Sequence, residues 1–378
     1  MKRALVAASV ASMIDQFNMP NIRLLMELGY EVDVAANFTF SGSITKERAE
    51  ELKARLTDMG VGVIDVPIPR KISAVGGIIR SYKMIKALSR EKRYDLMHCH
   101  SPIGGAIARL AVRKERKKGY TKTVYTAHGF HFYKGAPKKN WLIYYPVEKI
   151  CALCTDVLVT INHEDHALAE RKLRAKRVVY SPGVGIDVDK FGQGDRAKKR
   201  LELGIPESVP LLLSVGELNA NKNHEIALRA LAESSRTDTH YAIVGKGDLY
   251  DELTVLASDL GIAERVHLLG YRGDVAELYC AADLFVHPSY REGLPVSVIE
   301  AMASGLAVVA SDIRGNADLI DECGGRLVCA GDVDSLVGAI DEVLSNDELR
   351  RGMGEYNRKR AREYSVDAVK ELLEQIYN

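Results

Sequence analysis

Short apolar runs of β type alternate with helical patterns along the whole chain of 378 residues. Parallel strands covered by helices on both faces have this near-continuous apolar character, so the alternation predicts an α/β fold. Two successive series of runs predict two Rossmann-like domains, each with a doubly wound parallel sheet, facing each other across a cleft. Seven runs in the first half and six in the second read RALVAAS, YEVDVAAN, VGVIDVP, DLMHCH, KTVYTAH, DVLVTI, RVVYSP, PLLLSVG, HYAIVG, VHLLG, LFVHPS, LAVVAS and GRLVC.

The boundary between the two domains is predicted within residues 181–191, where proline and turn residues interrupt the alternation. A charge difference coincides with it. Residues 1–185 contain 31 Lys and Arg against 17 Asp and Glu, and residues 186–378 contain 21 against 34. A basic half indicates an anionic partner such as lipid headgroups or a diphosphate. Nucleic acid is not expected as a partner, because the sequence has no RNA- or DNA-binding motif.

The composition, with 47% hydrophobic and 27% charged residues, is typical of a globular protein. No apolar run approaches the length of a membrane span. The first residues, MKRALVAASVAS, are similar to the start of a signal peptide. The apolar stretch is brief and a helical pattern follows at once, so a buried first strand is favoured and we expect a cytoplasmic protein.

The stretch SYREGLPVSVIEAMASG carries two carboxylates, Glu292 and Glu300, on either side of the start of a helix. Residues 293–295, Gly-Leu-Pro, lead from a loop into the first turn of that helix. Free N–H groups and the helix dipole make such a start an anion site. Glu292 would reach a group held there, and Glu300 would reach hydroxyls further along the same ligand. A ligand with a phosphate centre and hydroxyls on both sides is a sugar nucleotide.

Taken alone, these glutamates also fit a surface loop followed by an ordinary amphipathic helix. The whole run resembles the E-x7-E signature of the retaining glycosyltransferases of family 4 (group 1), of the exopolysaccharide and capsule type, which have the GT-B fold. The resemblance covers essentially the whole chain. It implies an acceptor-binding domain at residues 1–185 and a nucleotide-sugar-binding domain at residues 186–359. It also implies a C-terminal helix, residues 360–378, that packs back on the first domain.

The resemblance implies roles for individual side chains. His128 and Glu292 would be the catalytic pair, His128 positioning the donor sugar and Glu292 holding its hydroxyls. Glu300 would bind the ribose, and Lys222 would offer a positive charge to the diphosphate. The glycines after two strands would let the backbone approach the nucleotide, although they also fit tight turns. The predicted donor-binding residues are Gly216, Lys222, Gly245, Gly247, Tyr271, Arg272, Arg291, Gly293, Leu294, Pro295 and Glu300.

Two places depart from the family pattern. Glu217 stands where relatives have an arginine, so we expect Glu217 to point away from the diphosphate and Arg291 to replace the missing cation. Ser12 and Met13 stand where many relatives have Gly-Gly, in a predicted loop at residues 9–21. That loop is expected to shape the acceptor pocket. The candidate acceptor contacts are Met13, Asn18 and Asn21.

No metal or other cofactor is expected. His98 and His100 end a strand, but a metal site would need further ligands in the right geometry. The sequence Asp-Val-Asp at residues 187–189 is similar to the DxD metal motif of the other large glycosyltransferase fold, yet it lies in the predicted linker and fits a turn. The CxxC at residues 151–154 has no second cysteine pair, so its thiols are expected in the core.

A basic and aromatic segment lies before a predicted helix in the first half. Such a mixture suits a membrane interface, and a solvated loop with a packed tryptophan accounts for it equally well. It leads us to expect peripheral contact with the inner face of an anionic membrane and a lipid-linked acceptor. The residues concerned are Lys134, Lys138, Lys139, Trp141, Tyr144 and Tyr145.

The sequence is therefore interpreted as a retaining glycosyltransferase that moves a sugar from a nucleotide diphosphate, UDP by preference, to a hydroxyl acceptor in surface polysaccharide or glycolipid assembly. A UDP-sugar epimerase shares the architecture, but the E-x7-E spacing argues against it. A non-catalytic sugar-nucleotide sensor stays open because of the substitutions at Glu217 and at Ser12 and Met13. Fold alone does not decide among the three.

Overall fold

A computed structural model describes all 378 residues and contains two parallel β-sheets. The first sheet pairs seven strands in the order β3-β2-β1-β4-β5-β6-β7. These strands are β1 (Lys2–Val10), β2 (Tyr30–Asn37), β3 (Gly62–Asp65), β4 (Leu96–His100), β5 (Lys122–Ala127), β6 (Val157–Thr160) and β7 (Arg177–Tyr180).

The second sheet pairs six parallel strands in the order β10-β9-β8-β11-β12-β13. They are β8 (Leu211–Val215), β9 (His240–Val244), β10 (Val266–Gly270), β11 (Leu284–His287), β12 (Ala307–Ser311) and β13 (Gly325–Val328). Each of the thirteen predicted runs coincides with one strand, which confirms the predicted α/β class and the two parallel sheets.

Helices connect the strands throughout both sheets. Around the first sheet they are α1 (Ala11–Phe17), α2 (Met19–Glu27), α3 (Lys46–Asp58), α4 (Val75–Lys92), α5 (Pro102–Lys117), α6 (Lys138–Ala152) and α7 (His163–Lys172). In the second half they are α8 (Arg196–Leu203), α9 (His224–Glu233), α10 (Tyr250–Asp259), α11 (Val275–Ala281), α12 (Val296–Ala303), α13 (Asn316–Leu319), α14 (Val333–Ser345), α15 (Asp347–Arg360) and α16 (Val366–Tyr377).

The chain separates into two compact units. The first comprises residues 1–184 and 369–378, and the second comprises residues 185–368. The segment that returns to the first unit thus begins at Val369, whereas the prediction placed its start at residue 360. The reason is a local pairing: Ile186 N donates to Tyr364 O at 3.1 Å and Val366 N donates to Ile186 O at 2.9 Å, which ties residues 361–366 to the linker.

Strand β1 lies in the interior of the first sheet, between β2 and β4, and its residues Ala4 to Ala8 are fully buried. This burial on both faces explains the continuous apolar run and confirms the predicted first strand. Helix α16 contributes Leu373 and Tyr377 to the same hydrophobic core. Tyr30 Oη donates to Tyr377 O at 3.0 Å, so the end of the chain is fixed to strand β2.

Residues 9–21, predicted as a loop, are mostly helical. Helices α1 and α2 meet at Asn18, and Pro20 lies in the first turn of α2, where its missing N–H costs nothing. Asn18 Nδ2 donates to Met13 O at 2.8 Å, and Asn21 Nδ2 donates to Asn18 Oδ1 at 3.0 Å. The predicted acceptor contact of Asn18 is therefore wrong for this structure, because its amide is fully buried and bonded within the chain.

Candidate active site

The loops that follow β8 and β11 lie side by side, because these two strands are neighbours in the second sheet. The chain order runs outward from them in both directions, through β9 and β10 on one side and β12 and β13 on the other. Ligands of open parallel sheets bind beyond the carboxyl ends of the strands at such a switch point. Lys222 lies in the loop after β8, and Glu292 lies in the loop after β11.

Lys222 and Glu292 form an ion pair at this point. Lys222 Nζ donates to Glu292 Oε1 at 2.7 Å, with the two side chains only 20% and 13% exposed. His287, at the end of β11, places Nε2 at 3.2 Å from the same carboxylate oxygen. The sequence suggested each of these charged residues separately but not their pairing. The pairing follows from the adjacency of β8 and β11 in the sheet.

The Glu292 carboxylate stays ionised although it is largely buried. Burial alone would raise its pKa, but the hydrogen bond from His287 and the charge of Lys222 outweigh burial and hold the pKa of Glu292 well below its usual value. Burial lowers the pKa of the His287 imidazole, so the neutral ring donates from Nε2. The ionised carboxylate of Glu292 therefore lies beside the ammonium of Lys222 at the carboxyl ends of β8 and β11.

Asparagine side chains fix the two loops to each other. Asn219 Oδ1 accepts from the backbone N–H groups of Asn221 and Lys222 at 3.0 and 3.1 Å. Asn221 Nδ2 donates to Arg291 O at 3.0 Å, and Tyr290 N donates to Asn221 O at 2.8 Å. The position of Lys222 is therefore set by hydrogen bonds rather than by a flexible loop, a role for Asn219 and Asn221 that sequence reasoning missed.

The glycines predicted to approach a nucleotide are required by packing inside the protein. A Cβ atom on Gly245 would lie 1.8 Å from Gly216 O, and one on Gly247 would lie 2.2 Å from Leu218 O. Gly245 also has a φ of +154°. Close approach between the loops after β8 and β9 thus accounts for both residues, and a further contact with nucleotide stays a prediction.

Glu217 is exposed and its carboxylate accepts from Asn219 Nδ2 at 3.0 Å. Its side chain does not join the Lys222–Glu292 pair. Arg291 is exposed beside Glu292, and its carbonyl rather than its guanidinium is held by Asn221. The predicted replacement of the missing family cation by Arg291 stays a prediction.

In the loop after β10, Tyr271 is 77% exposed. The Arg272 guanidinium is engaged with Asp274 and Glu202, at 2.7 and 2.6 Å. The donor-binding role of Tyr271 and Arg272 stays a prediction. The hydrogen bond from Arg272 is the main cause that holds the pKa of Asp274 well below its usual value.

Helix α12 begins one residue later than predicted. Pro295 is the cap and is buried, with Val296 as the first helical residue, and Pro295 O accepts from Val298 N at 3.2 Å. Leu294 is buried as well, and a Cβ on Gly315 would come within 2.6 Å of Gly293 O. The loop after β12 therefore packs directly against the 293–295 turn.

The side chain of Glu300, on α12, contacts the buried Tyr279. Tyr279 Oη lies 3.0 Å from both Glu300 Oε2 and Ser297 O. Burial raises the pKa of Glu300 to about 7, against a smaller opposing effect of the Tyr279 hydrogen bond. Near neutral pH this carboxyl is poised between its two forms, which is typical of functional sites.

In the first unit, His128 follows β5 and is held by a second histidine. His100 Nδ1 and His128 Nε2 are 3.1 Å apart, and the rings of His98 and His100 lie 4.2 Å apart between centroids. His98 bridges Tyr377 Oη at 2.7 Å and Thr126 Oγ1 at 2.8 Å. The sequence pattern pointed to His128 alone, whereas the structure shows a histidine network that reaches the last helix.

Burial makes these imidazoles neutral at physiological pH. It lowers the pKa of His98 to about 3 and of His128 to about 4, and it lowers the pKa of His100 well below its usual value. A small cavity of about 20 Å³, enough for one water molecule, is lined by His98, His100, His128 and Asn21 together with apolar residues. Met13 packs against the neighbouring core and is only partly exposed.

The aromatic residues of the predicted membrane segment pack inward. Trp141 lies 5.6 Å from Phe132 and 5.7 Å from Tyr145 between ring centroids, and Tyr144 lies 4.5 Å from His131. Of the two alternatives that the sequence left open, this packing favours the packed tryptophan, because the three aromatics are partly buried against the core beside α6. Peripheral membrane contact stays a prediction. Lys134, Lys138 and Lys139 are exposed.

The remaining sequence features have local explanations. The 187–189 segment enters a short 3-10 turn, as expected. Cys151 is buried, which raises the pKa of its thiol to about 11, whereas Cys154 is partly exposed. No group of three or more His, Cys, Asp or Glu side chains is arranged to hold a metal ion. None of the helices has the length and apolar character that crossing a bilayer requires.

Comparison with known proteins decides the family. Residues 195–360 match the model of "Glycosyl transferases group 1", and residues 19–183 match the "Glycosyl transferase 4-like domain". EpsD of Bacillus subtilis (strain 168), which carries a glycosyltransferase name, is 34% identical over 100% of this chain and 96% of its own. The chain belongs to the group 1 glycosyltransferases. One matched region of this transferase lies within each of its two units, and residues 184–194, which include most of the predicted linker, separate the two regions.

Two further relatives of the transferase are informative. An Escherichia coli UDP-Gal:α-D-GlcNAc-diphosphoundecaprenol α-1,3-galactosyltransferase is 32% identical, over 74% of each chain. The structure of Alr3699/HepE from Anabaena, in complex with UDP and glucose, superposes with a TM-score of 0.79 at 18% identity, over 100% of this chain and 99% of the other. This structural likeness identifies the GT-B fold that the sequence motifs implied.

Proposed function

We propose that this glycosyltransferase moves a sugar, with retention of anomeric configuration, from a UDP-sugar to a hydroxyl of a lipid-linked acceptor in surface polysaccharide assembly. The observation that carries the proposal is the Lys222–Glu292 ion pair at the switch point of the second sheet, with Glu300 on the helix that follows. The names of the Escherichia coli relative and of the Anabaena complex support UDP as the nucleotide and a diphosphate lipid as the acceptor carrier.

The donor would bind along the loops after β8, β10 and β11. Lys222 is held where its ammonium can bridge Glu292 and an incoming diphosphate, and the start of α12 adds its dipole. The ionised form of Glu300 would accept hydrogen bonds from the ribose hydroxyls. Backbone groups near Tyr271 would read the base, since the Arg272 side chain is already occupied.

In the proposed reaction the acceptor oxygen attacks the anomeric carbon from the face that the diphosphate leaves. The bond between that carbon and the diphosphate oxygen breaks, and the departing diphosphate takes the acceptor proton. Lys222 and the α12 dipole stabilise the charge that develops on the leaving group, so the mechanism requires no metal. Glu292 holds the sugar hydroxyls, and the neutral imidazole of His128 has the sugar-positioning role that the family resemblance implies.

A panel of UDP-sugars tests the proposal against its rivals. A transferase releases UDP slowly by hydrolysis without an acceptor and faster when the acceptor is added. An epimerase converts the donor into an isomer without UDP release, and a sensor binds the donor without any conversion. Slow UDP release from one sugar donor, abolished in Glu292→Gln, is expected; isomerisation or binding alone would replace the proposal.

A further inference from the structure

An apolar cavity of about 300 Å³ lies in the first unit between α4, α5 and α6. This volume is at the lower end of the range for small-molecule sites, about 300–1,000 Å³. Its walls are almost entirely hydrocarbon, from Ile78, Ile103, Ala106, Leu110 and Phe132 among others. The one carboxylate in its lining, Glu148, is neutralised within the fold by a bidentate pair with buried Arg109, at 2.5 and 2.9 Å.

The mouth of the cavity continues into an exposed apolar surface on α6. Ile143, Val147 and Ile150 recur at four- and three-residue spacing on one side of α6. Leu142 precedes this set, and Leu153 follows directly after the last residue of the helix. All five are exposed, Leu142 to 77% and Ile150 to 57%. The aromatic residues of α6 pack against the core on another side of the helix, so the protein leaves these aliphatic side chains uncovered, with Lys149 among them.

A second exposed apolar segment borders the same cavity. Ile72 and Ile79 line the cavity and are exposed, and Val75 between them is exposed as well. Scattered exposed apolar residues are ordinary, but a contiguous set around a cavity marks a binding surface.

The surroundings of the mouth are basic. Residues 70–83 contain Arg70, Lys71, Arg80 and Lys83 and no acidic residue. Residues 134–150 contain four lysines, and their single acidic residue is the internally paired Glu148. An aliphatic chain that carries a phosphate, or lies among anionic headgroups, complements both the hydrocarbon walls and the positive rim.

The cavity also adjoins the proposed catalytic histidine. Gly129, Phe130 and His131 line it, and His128 immediately before them lines the small cavity on the other side of that loop. We infer that the cavity between α4, α5 and α6 binds the aliphatic chain of the lipid that carries the acceptor, with the α6 face resting in the bilayer. The inference rests on the proposed function and adds the site at which the lipid is recognised.

Farnesyl phosphate, a single isoprenoid chain with one phosphate, is the probe, and inorganic phosphate and farnesol separate headgroup from chain. Binding to the full-length protein is followed by the fluorescence of Trp141, the only tryptophan, which contacts the cavity residue Phe132. Ala106→Phe fills the cavity and should weaken farnesyl phosphate binding about tenfold or more, a loss of about 1.4 kcal/mol or more. Ala87→Phe, at an exposed position of α4, is the matched control and should bind as the wild type does.

Val147→Asp is a second variant for the case in which Ala106→Phe fails to fold. Val147 is half-exposed at the mouth of the cavity, so the protein should fold with a carboxylate there. The same carboxylate should disfavour binding of the probe's isoprenoid chain. Val255→Asp, at an exposed valine of α10 in the second unit, is its control. Weaker binding in the cavity variants alone, with farnesol competing, supports the inference.

Three results would overturn the inference. One is wild-type protein that ignores farnesyl phosphate, a second is competition by inorganic phosphate but not farnesol, and the third is a dimer that covers α6 and leaves probe binding unchanged in Ala106→Phe. The proposed function is judged separately, by UDP release from the donor panel with a water-soluble acceptor. Sugar transfer without probe binding would contradict only the proposed lipid site. Probe binding without sugar transfer would contradict only the proposed activity.

Discussion

At the scale of single residues, Lys222 and Glu292 connect stability with donor binding. Lys222→Met leaves the Glu292 charge partly buried without its cation, which should lower the free energy of unfolding by about 1–3 kcal/mol. The same change should weaken UDP by a similar amount, because a charge-assisted contact is lost. Urea unfolding and calorimetry measure the two effects, with Lys198→Met, an exposed lysine of the same unit, as the control.

Coupling between these two residues separates a pair from two independent contacts. The double variant Lys222→Met/Glu292→Gln should lose less stability than the sum of the single variants, because neither then leaves a buried charge unpaired. Additive losses would show that the ion pair does not persist in solution.

Glu300 should make donor binding depend on pH near neutrality. Its pKa is raised to about 7, so the carboxyl is largely protonated at pH 6 and ionised at pH 8. Ribose hydroxyls donate to the ionised form, so UDP affinity should rise as the pH increases through 7. The terminal phosphate of UDP also titrates near pH 6. In Glu300→Gln only the phosphate titrates, so calorimetry of UDP binding to this variant measures the contribution of the phosphate alone. If UDP affinity depends on pH identically in the variant and the wild type, the role of Glu300 is contradicted.

The raised pKa of Glu300 also makes the free energy of unfolding depend on pH, and this dependence has the opposite sign to that of UDP affinity. A carboxyl whose pKa is higher in the folded than in the unfolded state favours folding most below its unfolded pKa. That contribution is lost as the pH rises through about 7. Bound UDP would offset the loss by giving the ionised carboxylate hydrogen-bond donors.

The sequence could predict the location of site residues where a motif specifies them, but not the contacts that burial imposes on a side chain. The E-x7-E spacing led to Glu292 and Glu300, both of which the structure places at the switch-point region. Asn18 is polar and lies near a family landmark, yet its amide closes the junction between α1 and α2. Nothing in the local sequence distinguishes a buried asparagine at a helix junction from an exposed one.

At the scale of elements, the strands could be predicted because parallel strands buried on both faces require continuous apolar runs. The short helix α1 was missed, since seven residues carry too little periodicity to distinguish a helix from a loop. Helix α6 was predicted to begin after the basic and aromatic segment, but it begins at Lys138 and includes most of that segment, and its orientation was not predicted either. Its aromatic and aliphatic sides are both apolar, so composition could not tell which side the core would cover.

Helix α16 should contribute stability to the first unit, which provides a prediction at this scale. Leu373 is buried against the core that contains β1, so Leu373→Ala should cost about 2–5 kcal/mol of unfolding free energy. Glu371→Ala, exposed on the same helix, should change it by less than about 0.5 kcal/mol. Urea unfolding measures both, and equal small losses would mean that α16 does not stay packed on the first unit in solution.

At the scale of the whole molecule, the basic first half and acidic second half predict a reversible membrane contact. Each basic residue near an anionic bilayer contributes about 1 kcal/mol, and salt screens it. The protein should therefore sediment with anionic liposomes at low salt, less at high salt, and not with neutral liposomes. Replacing Lys134, Lys138 and Lys139 together should reduce this binding without changing UDP affinity.

The alternative explanation for the charge difference is attraction between the two halves of the chain. It predicts no liposome binding at any salt concentration, and that outcome would favour a water-soluble acceptor. The sequence alone could not separate these explanations, because a count of charges does not say which surface they face.

The proposed mechanism depends most directly on the stereochemistry of transfer. With a UDP-sugar of known anomeric configuration and a hydroxyl acceptor, NMR of the first product before any equilibration reports the configuration of the new bond. Front-face attack supported by Lys222, Glu292 and the leaving diphosphate predicts that the donor's configuration is retained. A product of inverted configuration would contradict the proposed mechanism at its centre.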